Sequence, residues 1–180
     1  TRHLPVGAVT KRRAAGRTRM KLWILLLLTA GLVAGCQTAA QVDKTVSTRP
    51  RFFMESSATS STTVILPRSG VPIAINPKPV FTEADVMDVE LVQVELGQCL
   101  MFRLTSSAAR DLYRMSGTNQ GRRLVLLLDG EPMGARRMDG ALNSGVLFIF
   151  VELPDETLPG LVGRLKASVG AVQRALARKS

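Results

Sequence analysis

Two cysteines, one histidine and a few clustered charges are the residues of this chain able to do chemistry. Cys36 follows Ala34 and Gly35, so its thiolate, a good nucleophile, stands on a backbone slim enough to enter a processing enzyme. Cys99 sits in the strand-like run QCLMFRL, where a free cysteine behaves as a small buried hydrophobe; a reactive or intermolecular thiol is the alternative. The single histidine, His3, precedes an apolar leader, so from residue 36 onward Ser-His-Asp, Cys-His and His-dependent metal chemistry are excluded. One remaining thiol cannot build a zinc cluster, and no phosphate-cradling or dinucleotide glycine pattern occurs. No catalytic residue, metal or dissociable cofactor is therefore expected. Asp85, Asp88 and Glu90 are close enough to suggest an acid pair, yet at the start of a strand they read as a solvated face. Arg122, Arg123, Arg136 and Arg137 flank both strands of one expected hairpin and are the candidate partner-binding residues, for acidic headgroups, polyanions or a partner's carboxylates. Scattered solvation of strand ends is the competing account of them.

The element that positions Cys36 is Leu22 to Cys36, LWILLLLTAGLVAGC, an apolar run after a basic flank, laid out like an export signal. It is short for a span, which needs roughly 20 apolar residues. Its last residues, Val33-Ala34-Gly35-Cys36, resemble the lipobox of bacterial lipoproteins. The resemblance implies cleavage between Gly35 and Cys36, a diacylglycerol thioether on Cys36, and an acyl chain on the new amino terminus. Two or three chains anchor a protein stably where one does not. Gln37 stands where an aspartate would favour the inner membrane in that family, which implies an outer-membrane address facing the periplasm. Met20 is the expected true start, with a long basic flank as the alternative.

Removal of residues 1 to 35 changes the charge reading. Of 24 basic residues the leader takes seven and no acid, leaving 17 against 14, a net +3. The whole-chain pI near 10.8 belongs mainly to the leader, and no nucleic-acid partner is expected. The remaining 145 residues, 180 less 35, suffice for one domain and a tether. With Cys36 acylated, Cys99 has no disulfide partner within the chain.

Residues 36 to 63, rich in Ser and Thr with scattered charge, read as the acylated cysteine and a flexible tether. Phe52-Phe53-Met54 is the exception, docking on the domain or touching lipid. Residues 64 to 79 read as a short β and proline-rich connector with a turn at Pro67-Arg68-Ser69-Gly70. From residue 80 to 180 one domain is expected. A helical turn at Phe81 to Asp85 leads into a strand over Val86 to Leu96, a turn at Gly97-Gln98, and a strand over Cys99 to Leu104. A helix capped by Thr105 or Ser106 ends at Gly117; Leu124 to Leu128 is a central strand, Asp129-Gly130 a turn, and Glu131 to Met138 a return strand. A strand over Val146 to Val151 and an amphipathic helix from Leu158 to about Ala177 complete the order β-β-α-β-β-β-α. This is an α+β domain, two helices on one face of a mainly antiparallel sheet.

From about Val80 to Val169 the chain resembles the head of the first periplasmic domain of the SecD and SecDF protein-export subunits. The resemblance is carried by Asp85, Leu104-Thr105, Ala108-Ala109, Thr118-Asn119-Gln120-Gly121, Arg122-Arg123, Leu124 to Leu128 with Asp129-Gly130, and Ser144-Gly145, in that order. It implies that α+β fold and a surface for extended polypeptide. The chain departs where the family usually has Ala-Pro: here Gly134-Ala135-Arg136-Arg137 stands. It also shows no membrane-spanning run after Cys36, so the family's proton-driven motor does not transfer. The expectation is an envelope lipoprotein, anchored to the membrane by lipid, whose non-catalytic domain binds a protein partner, in export or envelope assembly. A purely structural subunit is the first alternative and a carboxylate enzyme the last.

Overall fold

The structure, a computed structural model, describes residues 47 to 179. The leader, Cys36 and the chain to residue 46 lie outside the described residues. Eight strands and two helices follow: β1 Pro50–Met54, β2 Thr62–Ile65, β3 Pro72–Ile75, β4 Val86–Val94, β5 Gly97–Leu104, α1 Ser106–Thr118, β6 Arg123–Leu128, β7 Glu131–Arg137, β8 Val146–Ile149 and α2 Leu158–Ala177. From β4 onward the order is the expected β-β-α-β-β-β-α, and the class is α+β. The antiparallel array divides into β1-β6-β7, β2-β3 and β4-β5-β8. Isolated bridges join successive pieces, Glu55 to Ile75 and Gly134 to Val151.

The tether expected over 36 to 63 is corrected at its distal half. Pro50–Met54 pairs along its whole length with β6, from Pro50 opposite Leu128 to Met54 opposite Leu124. Phe52 and Met54 enter the main core, while Phe53 enters a second one on the other face of the same sheet. A strand buried on both faces shows no alternation, so three apolar residues among polar ones carry no periodic signal. β6 has the same property: Leu124, Leu126 and Leu128 face the main core, Val125 and Leu127 the second. Residues 64 to 79, expected as a separate connector, form the β2-β3 hairpin that covers the second core with Leu66, Ile73 and Ile75. The packed unit therefore begins near residue 47, not residue 80.

Phe52 anchors the main core, with edge-on contacts to Phe81 (centroids 6.3 Å apart) and Phe102 (5.1 Å). Leu100, Phe102 and Leu104 of β5, Leu112 of α1, and Leu161, Leu165 and Val169 of α2 close around it. Thr82 and Asp85 form a capping box for the 3-10 turn Glu83–Asp85. Thr105 caps α1 through a bond from the Ala108 amide, 3.3 Å. That helix runs through Gly117 to Thr118, because Asn119 takes the terminal role by donating its amide and side chain to the Met115 carbonyl. The β4-β5 turn is Glu95-Leu96, not Gly97-Gln98, since Val94 pairs with Gly97. Leu96 stands at its tip, 85% exposed, beyond the end of the strand expected to include it. β8 stops at Ile149, and Val151 instead meets Gly134. A Cβ on Gly134 would overlap the Phe150 carbonyl oxygen and lie 3.0 Å from Val151 Cα, so only glycine permits this approach.

Candidate functional site

The β6-β7 hairpin turns at Asp129-Gly130, both with positive φ (53° and 97°), as a two-residue turn of this type requires. Its open end gathers the four arginines: Arg123 lies opposite Arg137, and Leu124 opposite Arg136. They do not form one free patch. Arg123 donates to Glu55 from its amide (2.8 Å), Nε (3.0 Å) and Nη2 (2.6 Å). Hydrogen bonding from this guanidinium holds the Glu55 carboxyl below its ordinary value against the opposing effect of burial. Arg136 points to the other face and donates to the Phe148 carbonyl, 3.2 Å. Arg122 and Arg137 stay exposed, the first near Asn119 Oδ1 (3.4 Å), the second 3.7 Å from Asp139. Glu55, which sequence reasoning left in the tether, has no local signal that marks it as a partner for Arg123.

The clustered carboxylates are dispersed among separate partners. Asp85 accepts from the Thr82 amide (2.8 Å) and hydroxyl (3.0 Å). Asp88 accepts from the Val89 amide and lies 3.9 Å from Lys166, while Glu90 lies 3.7 Å from Arg103. Cys99 is fully buried, and desolvation pushes its thiol up despite the nearby charge of Arg136.

Strand edges offer a different kind of site. Among the described residues β4 pairs with one strand alone, β5, but it contains the charged Asp88 and Glu90, begins with an irregularity between Val86 and Asp88, and lies under Gln173, which donates to the Ala84 (3.0 Å) and Val86 (2.7 Å) carbonyls. These are devices that blunt an edge. β2 has none of them. Thr62-Thr63-Val64-Ile65 is uncharged and β-branched at every position, and among the described residues it pairs only with β3. The Leu66 amide donates to the Val71 carbonyl (3.1 Å), so by the antiparallel alternation Thr63 and Ile65 turn their amides and carbonyls outward. Ile65 is 62% exposed. The sequence places strand-like residues here and confines Pro72 to a sheet edge, but it does not single out β2 as the open edge.

The edge is held rigidly. The Ser56 amide donates to the Ala74 carbonyl, 2.9 Å, at the base of the hairpin. At its tip Glu152 accepts from the Arg68 (2.9 Å) and Ser69 (2.8 Å) amides. Burial of Glu152 is the largest single influence and opposes ionisation, but the bonds from Ser69 and Arg68 together hold the carboxyl below its ordinary value. An open cavity of about 550 Å³ beside the tip is lined by Pro67, Arg68, Glu152, Pro154, Asp155 and Glu156.

Fold and site define an α+β module that presents one uncharged, fixed strand edge. Solved structures are similar to it, two of SecDF among them. A membrane component, SecDF, that enhances protein export superposes with a TM-score of 0.51 at 18% identity, over 68% of this chain and 62% of that one. SecDF in a super-membrane-facing form gives a TM-score of 0.51 at 19% identity, over 68% of this chain and 18% of that one. The chain thus spans less than two thirds of the length of either SecDF chain, and the likeness is one of fold. No family model matches the chain, and no curated protein matches it. Among the described residues no helix is long and apolar enough to cross a membrane.

Proposed function

We propose that this chain is a lipid-anchored envelope protein, acylated on Cys36, whose folded part binds extended polypeptide in protein export or envelope assembly without catalysis or cofactor. The observation that carries the reading is the free β2 edge. An extended segment added there gains main-chain hydrogen bonds from Thr63 and Ile65, and Ile65 with Val71, 37% exposed, supplies apolar contact. Because the hairpin is pinned at base and tip, little ordering cost falls on the protein when the segment binds. The SecDF-like fold supports an export setting, and Arg122 and Arg137 add positive charge at the domain surface. The lipobox-like residues before Cys36 support the anchor, and Gln37 supports a periplasm-facing outer-membrane address.

The test is capture of a reduced, unfolded client by the full chain. Ile65→Lys adds a charge to the edge, and Thr63→Pro removes an outward donor without touching the β2-β3 ladder. Each is expected to weaken capture by about tenfold while thermal unfolding stays unchanged. Capture that persists in both folded variants refutes recognition at this edge.

A further inference from the structure

A second surface lies across the sheet from the β2-β3 hairpin, on the outer side of α1. A hydrogen bond and two close approaches of glycine backbone hold the loop before β8 against this helix. Ser116 Oγ, fully buried, accepts from the Leu142 amide at 2.8 Å and donates to the Tyr113 carbonyl at 3.1 Å. Gly145 backs onto Ala109, and Gly117 faces Ala141. Between helix and loop remains a groove of about 590 Å³, lined by Ala109, Arg110, Tyr113, Arg114 and Asn143. The backbone on both sides of the groove is thus held in place.

The lining has the composition of an interaction hot spot, an aromatic flanked by arginines. Tyr113, the chain's one tyrosine, is 52% exposed although it projects from a well-packed helix. Arg114 pairs with Asp111 on the same helix, whereas Arg110 has no ionic partner among the described residues. With Arg114 compensated by Asp111, Arg110 is the uncompensated charge of a lining that holds no acid, so its charge complement is anionic. A concave site one helical turn long suits a side chain rather than a flat bilayer.

We infer that this groove docks a short acidic segment of a partner protein. A carboxylate pairs with the Arg110 guanidinium, which presents a planar fork suited to two parallel bonds. An apolar side chain beside it covers the Tyr113 ring, and Asn143 bonds the segment's backbone from the opposite wall. This surface is separate from the β2 edge and does not depend on it.

The test uses the full chain and a fluorescein-labelled peptide of alternating aspartate and phenylalanine, followed by fluorescence anisotropy. A second peptide carries asparagine in place of aspartate, and vesicles of phosphatidylglycerol with phosphatidylcholine form a third arm. Arg110→Glu and Tyr113→Ala are each expected to weaken the acidic peptide by about tenfold or more, with thermal unfolding unchanged and Arg110→Lys intermediate. Ile65→Lys is expected to leave this binding intact, which separates it from capture at the edge. Equal binding of the asparagine peptide, no binding of either peptide, or indifference to both groove variants overturns the inference. So does vesicle binding that Arg110→Glu abolishes while peptide binding persists, which would make the groove a lipid contact.

Discussion

Glu55 and Arg123 show how much one ion pair decides when it joins distant parts of the chain. Glu55 follows directly on β1 and Arg123 opens β6, and three hydrogen bonds close between them. Glu55→Gln keeps the shape and removes the charge, leaving the Arg123 guanidinium poorly paired; a loss of about 1–2 kcal/mol at neutral pH is expected for this partly exposed pair. The folded carboxyl is depressed, so its contribution is present above the ordinary glutamate value of about 4.3 and fades as pH falls through the lower folded value. Urea unfolding of parent and variant should therefore differ at pH 7 and converge in acid. A gap independent of pH would assign the loss to packing instead. Neither residue announces this role locally: an acid among serines looks like tether, and an arginine before an apolar strand looks like a solvated strand end.

At the scale of elements, the β2-β3 hairpin is a flap over the second core, fastened at its tip by one carboxylate. Glu152→Ala removes the acceptor for the Arg68 and Ser69 amides, and hydrogen exchange there should quicken while Val125, beneath the flap, stays protected. In the parent chain the Ser69 amide resonance should titrate in acid with a midpoint below that of free glutamate, since the clamp is stronger while Glu152 is ionised. A midpoint above that value would contradict the arrangement. The elements from β4 to α2 were legible because each has a period, a cap or a turn pair: Thr105 before α1, Asp129-Gly130 between β6 and β7, a helical stripe along α2. β1 was not legible, because burial on both faces erases alternation. The β2 edge was not legible either, since a strand's neighbours are a property of topology and not of its own residues.

The proposed anchor and the fold make different demands on the chain, and two substitutions separate them. Cys36→Ser is expected to release the protein from membranes with its unfolding temperature unchanged. Phe52→Ala is expected to leave it membrane-bound but to remove about 3–5 kcal/mol of stability, because Phe52 is fully buried against Phe81 and Phe102. Fractionation with thermal melts of both variants reads the two effects at once. Membrane association that survives Cys36→Ser would move the anchor elsewhere in the chain. The topology collects the four arginines at one end of a hairpin, then commits Arg123 and Arg136 to holding neighbouring segments.

The place of β1 in the fold has a mechanical corollary. Any pull transmitted along the chain from its amino-terminal side reaches Pro50 and, at once, a strand sandwiched between two hydrophobic layers and laced to β6 over five residue pairs. Load arriving at Pro50 is therefore felt at the centre of the packed unit. A protease that nicked the chain just behind β1 would not trim a dispensable tail; it would cut a ply out of the laminate.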